Sequence, residues 1–132
     1  MMAETNLDKL IAGMAPVLTP GVYVFTTSQA PPDLPAIMRF EEAEGTTLIT
    51  TRATAEAANL AYEFPCRMIT LNVHSSLEAV GFMARITTAL AAEGMGVNPV
   101  SGFYHDHLFV PEDRVEDAMR VLKALASSSG SQ

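Results

Sequence analysis

Apolar residues recur at two periods along this chain, and the switches between them mark its elements. Leu7, Leu10, Ile11 and Met14 follow helical spacing, with Thr5 and Asp8 as a start signal and Pro16 as the stop. Pro20-Gly21 is a turn. Val22 to Thr26 is β-branched and aromatic, which predicts a strand covered on both faces. Three prolines between Ser28 and Pro35 dictate a loop. Ile37 to Glu42 and Thr46 to Thr51 read as strands joined at Glu44-Gly45. Arg52 to Ala61 is alanine-rich and predicts a short helix, and Phe64-Pro65 is the sharpest break in the chain.

The second half is more regular. Arg67 to Val73 alternates, with Ile69, Leu71 and Val73 on one face. His74-Ser75-Ser76 is expected to turn into a helix capped by Ser75 or Ser76, with Val80, Met83, Ile86 and Leu90 as its buried stripe and Gly94 or Gly96 at its end. Val97 to Tyr104 predicts a strand in which Pro99 marks a sheet edge or a bulge. His105-Asp106 is the expected turn and His107 to Val110 the return strand. Pro111-Glu112-Asp113 opens a last helix with Val115, Ala118, Met119, Leu122 and Leu125 on its apolar face.

The expected order is α-β-β-β-α over residues 1–64 and β-α-β-β-α over residues 65–126, followed by a polar, disordered tail at 127–132. That is an α+β protein of two small units, antiparallel sheets with helices packed on one face. The second unit has no strand after its last helix. An edge is therefore left for the halves to exchange strands or dock edge to edge.

Composition narrows the classes of function. At 132 residues, 48 % hydrophobic and 17 % charged, the chain has enough apolar surface to fold without disulfides or metals. A net charge of −7 argues against nucleic acid and against an anionic membrane surface as partners. The uncharged stretch from Leu10 to Pro32 is neither signal peptide nor membrane span: Glu4 and Asp8 precede it, and Pro16, Pro20 and Pro31-Pro32 would break a helix. Cys66 is the only cysteine, which excludes an internal disulfide and favours a cytoplasmic location and a buried, inert thiol.

Two motifs carry a resemblance. SSLEAVG at Ser75–Gly81 and YHDHLFVP at Tyr104–Pro111, supported by RFEEAEGTTLIT in the first half and by Pro20-Gly21-Val22-Tyr23-Val24-Phe25, are similar to a bacterial family of short tandem ACT-domain proteins. The second half also resembles the regulatory ACT modules of aspartate kinases. The resemblance covers roughly Leu7 to Leu125 and implies ferredoxin-like units that bind a small-molecule effector, usually an amino acid, near the first strand–helix turn at an interface between domains. Carried onto this chain, that turn is His74 to Gly81 and the facing strand starts near Asn98. The Asp-x-x-Gly pattern of many amino-acid-binding modules is absent there, so the resemblance does not name the ligand.

The residues allow the same reading. A helix N-terminus at Ser75-Ser76-Leu77 would offer N–H groups to a carboxylate, with Glu78 or Asn98 for an ammonium group; ordinary capping explains the same residues. His105-Asp106-His107 has the spacing that puts two imidazoles on one strand face, and with His74 it would supply three nitrogens to a metal. A β-turn flanked by contact histidines is the alternative and the one expected, with no metal and no cofactor. Glu41, Glu42 and Glu44 read as a solvated strand edge. His74 and Ser75, adjacent on a strand, would face opposite ways and make a weak nucleophile–base couple. The expectation is a non-catalytic, homodimeric effector-binding protein with His74, Ser75, Ser76, Leu77, Glu78, Gly81, Asn98, His105, Asp106 and His107 at the site. A structural module without ligand, or a histidine-dependent metal enzyme, are the alternatives.

Overall fold

Asn6, rather than Thr5, opens the first helix: its side chain accepts from the Lys9 N–H at 3.0 Å. In the computed structural model, which describes residues 5–130, the chain runs α1 (Leu7–Gly13), β1 (Pro16–Leu18), β2 (Tyr23–Ser28), β3 (Met38–Glu42), β4 (Gly45–Thr51), α2 (Arg52–Ala57), β5 (Glu63–Leu71), α3 (Phe82–Ala91), β6 (Asn98–Ser101), β7 (Asp106–Pro111), a 3-10 turn (Glu112–Arg114) and α4 (Val115–Gly130).

The packing divides the chain differently from a cut at 64/65. One compact unit is Pro20–Cys66; the other combines residues through Thr19 with those from Arg67 onward. The cause is α1. Seven residues cannot hold a helix alone, and Leu10 and Ile11 are fully buried in one core with Ile69, Leu71, Ile86, Leu90, Leu108 and Leu122. Each such burial contributes about 1.5–3 kcal/mol. Strand β1 then pairs antiparallel with the end of β5, Pro16 opposite Leu71 and Leu18 opposite Ile69. β5 is also hydrogen-bonded to β7, and β6 pairs antiparallel with β7. Pro99 sits in β6, the last strand of that order, where its missing N–H costs no ladder bond.

In the Pro20–Cys66 unit the order is β3-β4-β2-β5, each neighbouring pair antiparallel. Glu42 lies opposite Gly45, leaving Ala43-Glu44 as a two-residue turn. Val24, Ile49, Ala55 and Cys66 are fully buried, and the Cys66 thiol donates to the Tyr23 carbonyl. The end of the proline loop is held by Thr50, whose hydroxyl donates to the Pro35 carbonyl at 2.6 Å. Glu41 and Glu42 are exposed. The Thr46 hydroxyl and Arg39, both bonded to Glu41, hold its carboxyl below the usual range.

Further expectations change, among them the extent of the strand predicted over Val97 to Tyr104, which is Asn98–Ser101. The break at Phe64-Pro65 is not a break: β5 runs through it, because Phe64 adopts φ +57° and the β2–β5 register shifts there, and a bulge accommodates proline. α2 stops at Ala57, not Ala61, with Asn59 in the left-handed region at φ +54°. Val80, expected in a buried stripe, lies ahead of α3 and is 84 % exposed. Residues 127–130, expected as tail, continue α4, since an established helix extends at little cost until a breaker. Residues 131–132 of that tail lie outside the described residues. No helix among the described residues is long and apolar enough to cross a membrane.

Candidate functional site

Between β5 and α3 the chain makes a loop, and that loop moves the helix away from where the serines announce it. Past Leu71 the backbone tightens: Val73 N–H donates to Leu71 O at 2.7 Å and Ser75 N–H to Val73 O at 3.0 Å. Ser76 caps a turn instead of a helix. Its carbonyl accepts from the Ala79 N–H and its hydroxyl oxygen from the Glu78 N–H, both at 3.0 Å. α3 begins only after Gly81, whose φ of +90° suits a residue without a Cβ. The N-terminal N–H groups of a helix are thus not at Ser75-Ser76-Leu77, and that part of the expected anion site is corrected.

What the loop meets is the β6–β7 hairpin. Ser101 lies opposite Asp106 at its base, and Gly102 N–H donates to His105 O at 2.9 Å to close the turn. Asp106, expected in the turn, is the first residue of β7 and only 7 % exposed. Its Oδ2 accepts from the Ser75 hydroxyl at 2.8 Å and its Oδ1 from the Ser101 hydroxyl at 2.6 Å. No lysine or arginine among the described residues forms an ion pair with it. A cavity of about 90 Å³ opens beside this triplet, walled by Ser76, Leu77, Ala79, Phe82 and Met83 as well as Ser75, Ser101 and Asp106.

Of the expected site residues, Ser75, Ser76, Leu77 and Asp106 converge on this cavity. Gly81 shapes the loop. His74 turns its ring toward Tyr104, with centroids 5.6 Å apart. Glu78 and Asn98 are exposed and do not line the cavity, and Asn98 pairs with Phe109 across the hairpin. His105 belongs to the turn. His107 Nδ1 lies 2.9 Å from the Thr70 hydroxyl on β5. Burial first, then the nearby His105, pushes the His107 pKa down, against a smaller upward pull from Asp106. No group of three His, Cys, Asp or Glu side chains suited to a metal occurs among the described residues. Sequence reasoning missed Ser101, Phe82 and Met83. Ser101 was within reach: a serine five residues before an aspartate, around Gly-Phe-Tyr-His, is the base of a hairpin turn.

An α+β fold with ferredoxin-like units, and a small polar cavity under the first strand–helix loop of one of them, defines the class. Two ACT domain models match, one over residues 2–67 and the other over residues 63–124, so the chain belongs to the ACT-domain family and carries two ACT domains in tandem. The two matches overlap in the first half of β5. A protein of unknown function from Vibrio cholerae, described as a possible transport protein, is 38 % identical over 91 % of this chain and 95 % of its own, with a TM-score of 0.83. A protein from Agrobacterium tumefaciens is 16 % identical over 86 % and 89 %, TM-score 0.72. The ligand-free regulatory subunit of aspartate kinase from Thermus thermophilus is 11 % identical over 83 % and 95 %, TM-score 0.61, a likeness of fold. No curated protein matches the sequence.

Proposed function

We propose that this chain is a non-catalytic regulatory protein that binds a small amino acid at the Ser75–Asp106 cavity. One observation carries the reading: a buried carboxylate, oriented by two hydroxyls and balanced by no cation among the described residues, faces a cavity. A charge so placed is costly unless paired, and an ammonium group supplies the pair. The hydroxyl oxygens of Ser75 and Ser101 still have lone pairs to offer it, and the Ser76 hydroxyl has a hydrogen to donate to a carboxylate. Size sets the class. About 90 Å³ is below the roughly 150 Å³ that holds benzene in an engineered cavity, so a large side chain must project past Leu77. Ser75 has a carboxylate rather than an imidazole as partner, which favours binding over nucleophilic chemistry.

Homodimerisation belongs to the same proposal. Leu77, Val80, Phe103 and Tyr104 are large apolar side chains left well exposed, and such residues are commonly covered by a neighbour. Sedimentation equilibrium is expected to give twice 14.1 kDa, with Val80→Asp shifting it to one chain.

A thermal-shift series over the proteinogenic amino acids tests the ligand. At 100 times its dissociation constant a ligand adds about 2.7 kcal/mol, a melting shift of roughly 8–12 °C for a chain of this size. Glycine, alanine and serine are expected to lead, and Asp106→Asn to abolish the shift. No shift with any amino acid at millimolar concentration overturns the proposal.

A further inference from the structure

The Pro20–Cys66 unit carries a groove of its own. It measures about 300 Å³, at the lower end of small-molecule sites. Strand register builds one wall. Thr27 lies opposite Thr47 and Phe25 opposite Glu63. Directly opposed residues share a sheet face, and so do residues two apart on one strand. Phe25, Thr27, Thr47 and Glu63 therefore stand together, and Tyr62 completes the lining.

Both rings are held in place. Phe25 makes an edge contact with Phe64 at 5.9 Å between centroids, and the Tyr62 hydroxyl donates to Glu56 at 3.0 Å. Next to the lining residue Glu63, Phe64 adopts a backbone conformation rare for phenylalanine, φ +57°. Charge points the same way as the rings. Glu63 is exposed, and its carboxylate makes no ion pair or side-chain hydrogen bond among the described residues. The unit as a whole sets six carboxylates against two arginines. Aromatic faces carry partial negative charge and attract cations, and a field of this sign raises the local concentration of positive ligands.

We infer that this groove, where the Phe25 and Tyr62 rings meet the free carboxylate of Glu63, binds a compact organic cation, an alkylammonium or quaternary ammonium group. The rings take its apolar, positively charged face, Glu63 balances its charge, and the Thr27 and Thr47 hydroxyls line the polar side. A carboxylate ligand is repelled, which separates this groove from a zwitterion site.

Titration of the full chain with choline and with tetramethylammonium, followed by calorimetry and amide NMR, tests the inference. Saturable binding is expected, with shifted signals at Phe25, Thr27, Thr47 and Glu63. The neutral isostere 3,3-dimethylbutanol should bind about fivefold more weakly. Glu63→Gln, at an exposed position that leaves the fold intact, should weaken choline by about fivefold, as should Tyr62→Leu, while Asp106→Asn leaves it unchanged. Absence of saturation, equal binding of the neutral isostere, or undiminished binding to Glu63→Gln overturns it.

Discussion

The Ser75 hydroxyl donates to Asp106 across 2.8 Å and 31 residues of chain, tying the loop after β5 to the first residue of β7. Ser101 repeats the bond from the other side of the carboxylate. Each serine is local to a turn. Asp106 makes them one site.

Replacing Asp106 by alanine strands the buried Ser75 hydroxyl, while that of the exposed Ser101 turns to water. Unsatisfied buried groups cost about 1–3 kcal/mol, so Asp106→Ala is expected to lower the urea midpoint accordingly. Asp106→Asn keeps an oxygen acceptor and should lose less. Equal midpoints for wild type and Asp106→Ala would contradict the role of the triplet.

The first helix offers a second test. Leu10 is fully buried in the core completed by α4, so Leu10→Ala should cost about 2–5 kcal/mol. Val17, on the same segment, is 49 % exposed, and Val17→Ala should stay within about 0.5 kcal/mol. Chemical denaturation of the two variants side by side separates packing of α1 from mere proximity in sequence.

Acidification supplies a third. The His107 pKa is lowered in the folded chain, chiefly by burial and then by His105, so the unfolded chain takes up the proton more readily. The contribution of His107 is full above its ordinary value of about 6.5 and is lost as pH falls through the lower folded value. Stability should therefore drop between pH 7 and 5, and His107→Gln should flatten that part of the profile. A profile of the same slope in the variant would assign the drop to other groups.

The helices α1 and α4 and the hairpin of β3 and β4 were legible because one period, 3.6 or 2, dominates each. Where the reading failed, a local signal was real but served another purpose. Ser76 does cap backbone N–H groups, yet of a four-residue turn, and the left-handed backbone at Gly81 sets the start of α3 instead. Pro65 does interrupt a ladder, yet a bulge absorbs it. The candidate cavity was half legible: Ser75, Ser76, Leu77 and Asp106 sit in motifs and Ser101 stands at the base of a readable hairpin turn, whereas Phe82 and Met83 line it only through helix placement, which no local pattern encodes. Glu78 carries the charge sought for an ammonium group, but its position in the turn leaves it in water.

The membership of α1 and β1 in the unit made by the last half of the chain has a consequence for synthesis. A ribosome delivers Leu10 and Ile11 early, long before Ile86, Leu90 and Leu122, the residues that enclose them. Until the strands and helices after Cys66 emerge, α1 and β1 have no partner elements of their own unit to settle on, and a seven-residue helix does not persist by itself. The Pro20–Cys66 unit, whose strands are contiguous in sequence, is complete while that segment still waits. The order of translation and the order of burial are thus inverted for α1 and β1, and the nascent chain leaves Leu10 and Ile11 uncovered until the elements after Cys66 have emerged.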